Sequence, residues 1–238
     1  MASSLLFAKD VPITKEITVR IPKVGEVIEN EEGYYNLVSK ITASPNAYMV
    51  MLDDNGIDFT TLSHYDLFLM FGNVIFTSPE CKLLFGDLDM SNCGAYVLQE
   101  NDEPVLYDPK SDIVIKSTAY EMIADTVRQI NLLEKDNKKP ANNAAKMYLL
   151  ETNRRRQRRH KNDKFKPYME SLVIALVNTP ECKYNYEQVL DMSVYRFNQT
   201  YKQIKHKIDY DNLMNGVYSA TVDTSKIEKS KLSFIQTQ

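Results

Sequence analysis

The stretch AYVLQENDEPVLYDPKSDIVIKSTAYEMIADTVRQINLLEK, residues 95–135, changes its hydrophobic pattern part-way along. It begins with three short runs rich in β-branched, aromatic and aliphatic residues, AYVLQ, PVLYD and IVIK, which are separated by the polar breaks NDEP and DPKSD. Runs of this kind, broken by residues that favour turns, predict a small antiparallel β meander.

The second half of the stretch predicts an amphipathic helix. Thr118 and Glu121 have the spacing of a capping box where this helix begins. Apolar side chains recur with helical spacing on one face, at Ile123, Val127, Ile130 and Leu133. We expect this face to pack on the meander, so this part of the chain combines helix and sheet.

The residues before the meander favour one short strand followed by helices. Ile17, Val19 and Ile21 alternate with polar residues before Pro22, which is typical of a strand that ends at the proline. Three helices are predicted next, in EGYYNLVSKI, PNAYMVML and SHYDLFLMFGNVIF. In the last of these, Ser63 has the position of an N-cap and Asp66 that of N3.

The residues after the meander favour helices alone. The polar tract DNKKPANN, residues 136–143, predicts a break between domains. Five helical segments follow, AAKMYLLETNRRRQRRHK, PYMESLVIALVNT, YEQVLDM, SVYRFNQTYKQIKHKI and YDNLMNGVY, before a tail from Val222 with weak periodicity. We therefore predict an α+β, predominantly α-helical fold: an N-terminal helical region with a small antiparallel β meander, then an all-helical C-terminal region.

The charges divide the chain more sharply than its net charge of −3 indicates. Residues 1–134 contain nine lysines and arginines against 21 aspartates and glutamates, whereas residues 135–238 contain 20 against 11. The basic excess lies in residues 135–166, with 12 basic residues against three acidic ones. We predict an acidic α+β domain over 1–134, a basic helical connector over 135–166, and a helical domain with a loose tail over 167–238.

The connector contains the strongest candidate for partner binding, NRRRQRRHK at residues 153–161. Its arginines, Arg154, Arg155, Arg156, Arg158 and Arg159, occupy every angular position around the helix, and no apolar face continues beyond Glu151. We expect the helix to leave the protein body there. The arginines could contact an acidic protein surface, which could be the front half of this same chain, or nucleic acid, or only solvent.

A second candidate surface comes from the aromatic residues of the last third of the chain. Tyr195 and Phe197 cannot share one face of a helix, so one side of SVYRFNQTYKQI is expected to meet a partner. We select Tyr195 and Tyr201 as the partner-binding residues there, because tyrosine is common at protein interfaces.

Neither a catalytic site nor a metal site is expected. His64, His160 and His206 lie far apart, the three cysteines include no CxxC pair, and the seven glycines never cluster into a phosphate-binding loop. DDNGIDF reads as a turn rather than a calcium loop, because the glutamate at the twelfth loop position is absent. No apolar run approaches the roughly 18 residues of a membrane span. We predict a non-enzymatic, cytosolic protein with no cofactor, no metal and no membrane partner.

Several motifs together resemble a group of tail morphogenesis proteins encoded by tailed bacteriophages. These motifs are LLFGDLD, PVLYDPKSDIVI, ALVNTPECKYNYEQVLDMSVYRFN and YDNLMNGVYSATVD. The resemblance implies a tail assembly chaperone in the host cytoplasm, which holds the tape-measure protein while tail tube subunits polymerise. A structural tail, baseplate or connector component of the virion is one alternative, and a nucleic-acid-binding protein acting through residues 154–166 is another. Self-association also remains open.

Overall fold

The computed structural model describes residues 4–98, 102–219, 221–222, 225 and 227–235, and it confirms the expected α+β fold with a helical C-terminal region. The α-helices in these residues are α1 (Val24–Glu29), α2 (Glu31–Thr42), α3 (Met49–Asp54), α4 (His64–Phe76), α5 (Cys81–Phe85), α6 (Ser117–Asn131), α7 (Asn143–His160), α8 (Met169–Val177), α9 (Tyr186–Leu190) and α10 (Val194–Tyr218). The strands are β1 (Asp10–Pro12), β2 (Thr18–Arg20), β3 (Gly94–Val97), β4 (Pro104–Asp108) and β5 (Ile113–Ile115). Short 3-10 helices cover Pro45–Tyr48 and Lys229–Leu232.

The strands form two separate antiparallel sheets. β3, β4 and β5 are neighbours in that order, with Leu106 opposite both Ala95 and Ile115, and this arrangement confirms the predicted meander. β2 confirms the strand predicted before Pro22, and it pairs with β1. β1 was not predicted from the sequence, because it has only three residues and ends in a proline.

Of the two predicted helix caps, one is confirmed and the other is wrong. The Ser63 hydroxyl accepts a hydrogen bond from the Asp66 N–H (3.0 Å), and the Asp66 carboxylate accepts one from the Ser63 N–H (2.8 Å), so α4 begins with the expected capping box. The predicted capping box of α6 is wrong, because the N-cap of this helix is Lys116 and Thr118 lies within the first turn.

Two helix ends also differ from expectation. α6 ends at Asn131, because Leu132 adopts a left-handed conformation with φ 53° and turns the chain away, which leaves the Leu133 side chain 45% exposed. The two helices expected over residues 193–218 form the single helix α10. Asp209 between them is an ordinary helical position, and no glycine or proline there stops the helix.

α6 lies at the centre of the main hydrophobic core. Ile123, Val127 and Ile130 on its inner face are completely buried, and neighbouring elements that pack against α6 include α2, α4, α10 and β5. The meander also packs on α4, where the Leu106 side chain lies against Gly72. A Cβ atom at residue 72 would lie 2.4 Å from Leu106 Cδ1, so any larger residue there would force the Leu106 side chain to move.

The C-terminal helices contribute to this same core. Their buried apolar residues are Met169, Val173, Leu176, Val189, Met192, Val194 and Phe197. The backbone joins the two ends of the chain as well, because the Val194 N–H donates to the Pro22 carbonyl and the Val24 N–H donates to the Met192 carbonyl, each at 2.9 Å. The division at residues 134 and 166 stays a prediction, although residues from both sides of the connector share one core.

The tail lies partly outside the described residues, which do not include 223–224, 226 and 236–238. The described part contacts α10: His206 Nε2 donates to the Ser233 carbonyl (2.7 Å), and the rings of Tyr210 and Phe234 lie 6.5 Å apart in an edge-to-face arrangement.

A buried carboxylate connects the front of the chain to the start of α8. Glu31, in the first turn of α2, is 6% exposed. Its Oε1 accepts a hydrogen bond from the Tyr168 N–H (2.9 Å), and its Oε2 accepts one from the Met169 N–H (3.0 Å). The first N–H groups of a helix have no partner within the helix and carry partial positive charge, so a carboxylate from another element satisfies and stabilises them.

We predict that Glu31→Ala lowers the free energy of unfolding by about 2 kcal/mol, because it leaves the buried Met169 N–H and the partly buried Tyr168 N–H without an acceptor. Glu31→Gln keeps one side-chain oxygen as an acceptor and should cost clearly less. Urea denaturation of the two variants and the wild type measures the difference. Equal losses for alanine and glutamine would contradict a capping role for this carboxylate.

Candidate partner-binding site

The arginine segment belongs to α7, which begins at a well-defined cap. The Asn142 side chain accepts a hydrogen bond from the Ala145 N–H (2.9 Å), and the helix then continues to His160. Arg158, Arg159 and His160 form its last turn, where cationic side chains interact favourably with the partial negative charge of a helix C-terminus.

One face of α7 docks on the protein body through apolar contacts. Leu150 is 1% exposed and belongs to a second hydrophobic cluster, whose other buried members are Ala43, Met49, Val50, Leu52, Phe59 and Leu67. The Asn153 amide, one turn further along, lies 3.5 Å from the Met49 sulfur and donates to the Leu149 carbonyl (3.0 Å). α7 therefore packs against α3 as far as the start of the arginine segment.

Arg154, the first arginine of the segment, extends this docked face by forming two ion pairs. Arg154 Nη2 contacts both Asp53 Oδ2 and Asp54 Oδ1 at 2.6 Å, at the end of α3. The hydrogen bonds to Asp54 and Asp53 raise the pKa of Arg154 above its usual value. The expectation that the helix leaves the body after Glu151 is therefore wrong at this residue.

A second ion pair anchors α7 two turns earlier. Lys146 Nζ lies 2.8 Å from Asp58 Oδ1 and 5.6 Å from the centroid of the Phe59 ring. The hydrogen bond from Lys146, followed by those from the Thr60 backbone and hydroxyl, lowers the pKa of Asp58 to about 2. Lys146 and Arg154 are eight residues apart, so they lie on the same side of the helix as Leu150.

The acidic residues that receive α7 come from DDNGIDF. The interpretation of this stretch as a turn agrees with the structure, because α3 ends at Asp54 and Gly56 has φ 74°. Its role as the docking point of the basic helix was missed. The opposite charges of the two halves indicated the attraction, but no residue pattern indicated which carboxylates and which basic residues would meet.

The outer face of α7 carries the remaining arginines. Arg155 pairs with Glu151 of its own helix. Arg156, Arg158 and Arg159 are exposed, and no acidic side chain of the described residues forms an ion pair with them. Tyr148, 70% exposed, lies seven residues before Arg155 and so shares this face. We use "outer face of α7" for Tyr148, Arg155, Arg156, Arg158 and Arg159.

A groove runs along the boundary between the docked and outer faces. Its volume is about 390 Å³, and its lining residues are Val50, Asp54, Arg154, Gln157, Arg158 and Lys161. This groove offers cationic side chains with a short apolar floor. Such a surface suits a carboxylate-bearing or phosphate-bearing partner better than a neutral ligand.

The two predicted tyrosines lie elsewhere, on α10. Tyr195 and Tyr201 are half-buried and pack against the main core, whereas Phe197 between them is completely buried. Tyr201 also lines a groove of about 420 Å³ between the end of α6 and α10, together with Lys202 and Lys205. The groove lined by Tyr201 shares no residue with the groove lined by Arg154 and Arg158.

The described residues contain neither a metal-binding arrangement nor a helix that could cross a membrane. No group of three or more histidine, cysteine, aspartate or glutamate side chains there is arranged to hold a metal ion. Among the same residues, no helix combines the length and the apolar character needed to cross a bilayer.

We predict that Leu150→Ala lowers the free energy of unfolding by about 3 kcal/mol, because it opens a cavity where α7 docks. Met147→Ala is the matched control. Met147 is on the same helix and 56% exposed, so its truncation should change stability by less than about 0.5 kcal/mol. Urea denaturation measures both values, and equal effects would show that α7 is not docked through Leu150.

Comparisons with known proteins relate only the last part of the chain to a family. The family described as YomV second domain, of a phage type found in a Bacillus prophage, matches residues 159–236, about a third of the chain. No curated protein and no solved structure matches the chain significantly. The match covers α8, α9 and α10, including Tyr195 and Tyr201, but begins at the last of the five arginines. The match suggests a phage protein, but it does not support a specific role in tail morphogenesis.

Proposed function

We propose that this chain is a non-enzymatic assembly factor of a phage, and specifically a tail assembly chaperone that binds the tape-measure protein or tail tube subunits in the host cytoplasm. The phage-type family match supports the first part of the proposal. The resemblance of LLFGDLD, PVLYDPKSDIVI and the C-terminal motifs to tail morphogenesis proteins supports the second.

The observation that carries the proposal is the outer face of α7. The helix is fixed to the body on one side by Leu150 and Arg154, so Arg156, Arg158 and Arg159 on the other side are held in place and presented to solvent. Exposed charges of one sign increase the rate at which an oppositely charged partner is encountered and select against other partners. The half-buried tyrosines of α10 would add affinity, since aromatic anchors commonly supply most of the energy at an interface.

An acidic protein surface suits this face better than nucleic acid. A nucleic acid carries negative charge along its whole length, so it would also meet the acidic front region, which has nine basic residues against 21 acidic ones in residues 1–134. An acidic patch on a folded partner contacts only the outer face and avoids most of this repulsion.

We predict that replacing Arg156, Arg158 and Arg159 together by glutamine reduces the yield of complete tails in cells infected by the phage that encodes the protein. Glutamine has nearly the helix propensity of arginine, so α7 should remain folded, and the melting temperature should fall only slightly through the lost interaction of Arg158 and Arg159 with the helix C-terminus. A triple lysine variant at the same positions is the control, because it keeps the charge and should restore most of the yield. An unchanged yield for the glutamine variant would remove these arginines from partner binding.

The location of the protein decides between a chaperone and a structural component. We predict that mass spectrometry, with the tail tube subunit as internal reference, finds the protein in infected-cell lysate and not in gradient-purified particles. A fixed ratio to the tube subunit in purified particles would overturn the chaperone role and favour a tail, baseplate or connector component.

A further inference from the structure

The first described residues form a turn that presents two large apolar side chains to solvent. The Ser4 carbonyl accepts hydrogen bonds from the Phe7 N–H (3.0 Å) and the Ala8 N–H (3.2 Å), which closes the turn. Leu5 and Ala8 pack inward against the main core. Leu6 and Phe7 therefore point outward, and they are 43% and 83% exposed.

Two grooves lie on either side of this turn, each with a volume of about 460 Å³. One is bounded by β2 and α1, and the other by α10 and the segment before α9. Leu6, Phe7 and Arg196 line both grooves. Tyr184 and Ile204 give the second groove an apolar wall. A protruding aromatic side chain and an apolar-walled groove thus lie next to each other on one face.

The charges around this face are of both signs and only partly neutralised. Arg20 pairs with Glu26, and Lys23 pairs with Asp191, so these four residues are satisfied within the chain. The second groove is also lined by charged residues of both signs, namely Glu181, Lys183 and Arg196. No ion pair joins Lys183 or Arg196 to an acidic residue among the described residues.

We propose that this face is the two-fold interface of a homodimer, in which Phe7 of each copy enters the groove beside Tyr184 and Ile204 of the other copy. We name it the Phe7 face and define it by Leu6, Phe7, Glu181, Tyr184, Arg196 and Ile204.

Symmetry is the reason that a second copy suits this surface. A two-fold interface uses the same patch on both subunits, so the patch must contain both a protrusion and its receptor, and both charges of each pair. The Phe7 face contains the protrusion and the groove side by side. Glu181 and Arg196 line the same groove without pairing, and a two-fold rotation can bring Arg196 of one copy towards Glu181 of the other.

The number of residues around the Phe7 face is also close to that of a standard protein–protein interface. The linings of the two grooves together approach the roughly 20–30 residues that a standard interface uses on each side. An aromatic residue at the centre with an arginine beside it is the composition that most often supplies the binding energy of an interface. The homodimer does not depend on the proposed role in tail assembly.

The test is the oligomeric state of the full chain and of two serine variants, measured by sedimentation velocity up to about 100 μM protein. The wild type should be a dimer, and Phe7→Ser should be a monomer with an unchanged circular dichroism spectrum, because Phe7 is not part of the core. Tyr218→Ser is the matched control: Tyr218 is 81% exposed and lies outside both grooves, so this variant should remain a dimer. A monomeric wild type, or a dimeric Phe7→Ser variant, would overturn the proposal.

Two further measurements test the arrangement within the dimer. Arg196→Glu and Glu181→Arg should each weaken the dimer at least tenfold, and the double variant should regain most of this loss; a double variant as weak as the singles would refute the pairing. Cys182 follows Glu181 directly and is only half-buried, whereas Cys81 and Cys93 are buried, and burial raises the pKa of Cys81 to about 12 and of Cys93 to about 11. Maleimide labelling should therefore report Cys182, and should be slower in the wild type than in Phe7→Ser. Equal labelling rates would place the interface elsewhere.

Discussion

The burial of the inner face of α6 is the interaction on which the rest of the structure depends. Ile123, Val127 and Ile130 are completely removed from solvent, and they are covered by elements that are far apart in the sequence. Burying large aliphatic side chains contributes roughly 1.5–3 kcal/mol each relative to exposing them, so this face provides a strong reason for distant elements to meet. Packing against α6 positions the meander, α2, α4 and α10. These elements in turn position the candidate partner-binding residues.

Polar interactions then decide how the remaining helices are attached. Glu31 fixes the start of α8 by accepting from its first N–H groups, and Asp53 and Asp54 receive Arg154 of α7. These contacts differ in exposure. Glu31 is almost completely buried, whereas the Arg154 pairs are partly exposed to water, which reduces their contribution to stability. We therefore attribute the attachment of α7 mainly to Leu150 and its orientation to the ion pairs.

Because Leu150 and the ion pairs all lie on one side of α7, this helix has two different faces. The docked face uses Lys146, Leu150 and Arg154, which recur at multiples of four residues. The outer face carries Arg156, Arg158 and Arg159, which form no ion pair within the described part of the chain. A helix held on one side by its own protein can present the other side without a large loss of conformational entropy on binding. The Phe7 face is also held in place before binding. Leu5 and Ala8 of its turn pack against the core, and this packing fixes the exposed side chains of Leu6 and Phe7.

The sequence by itself determined the kinds of elements and most of their positions. Short β-type runs separated by polar turn residues predicted the meander, Ser63 and Asp66 predicted the start of α4, and the spacing of Ile123, Val127 and Ile130 predicted the buried face of α6, because these features depend on neighbouring residues in the chain. Only the tertiary structure decided that Arg154 meets Asp53 and Asp54, that Glu31 caps α8, and that Phe7 stands beside a groove. Each of these contacts joins residues brought together by packing of the core. The spacing within a segment contains no information about which distant segment will lie against it.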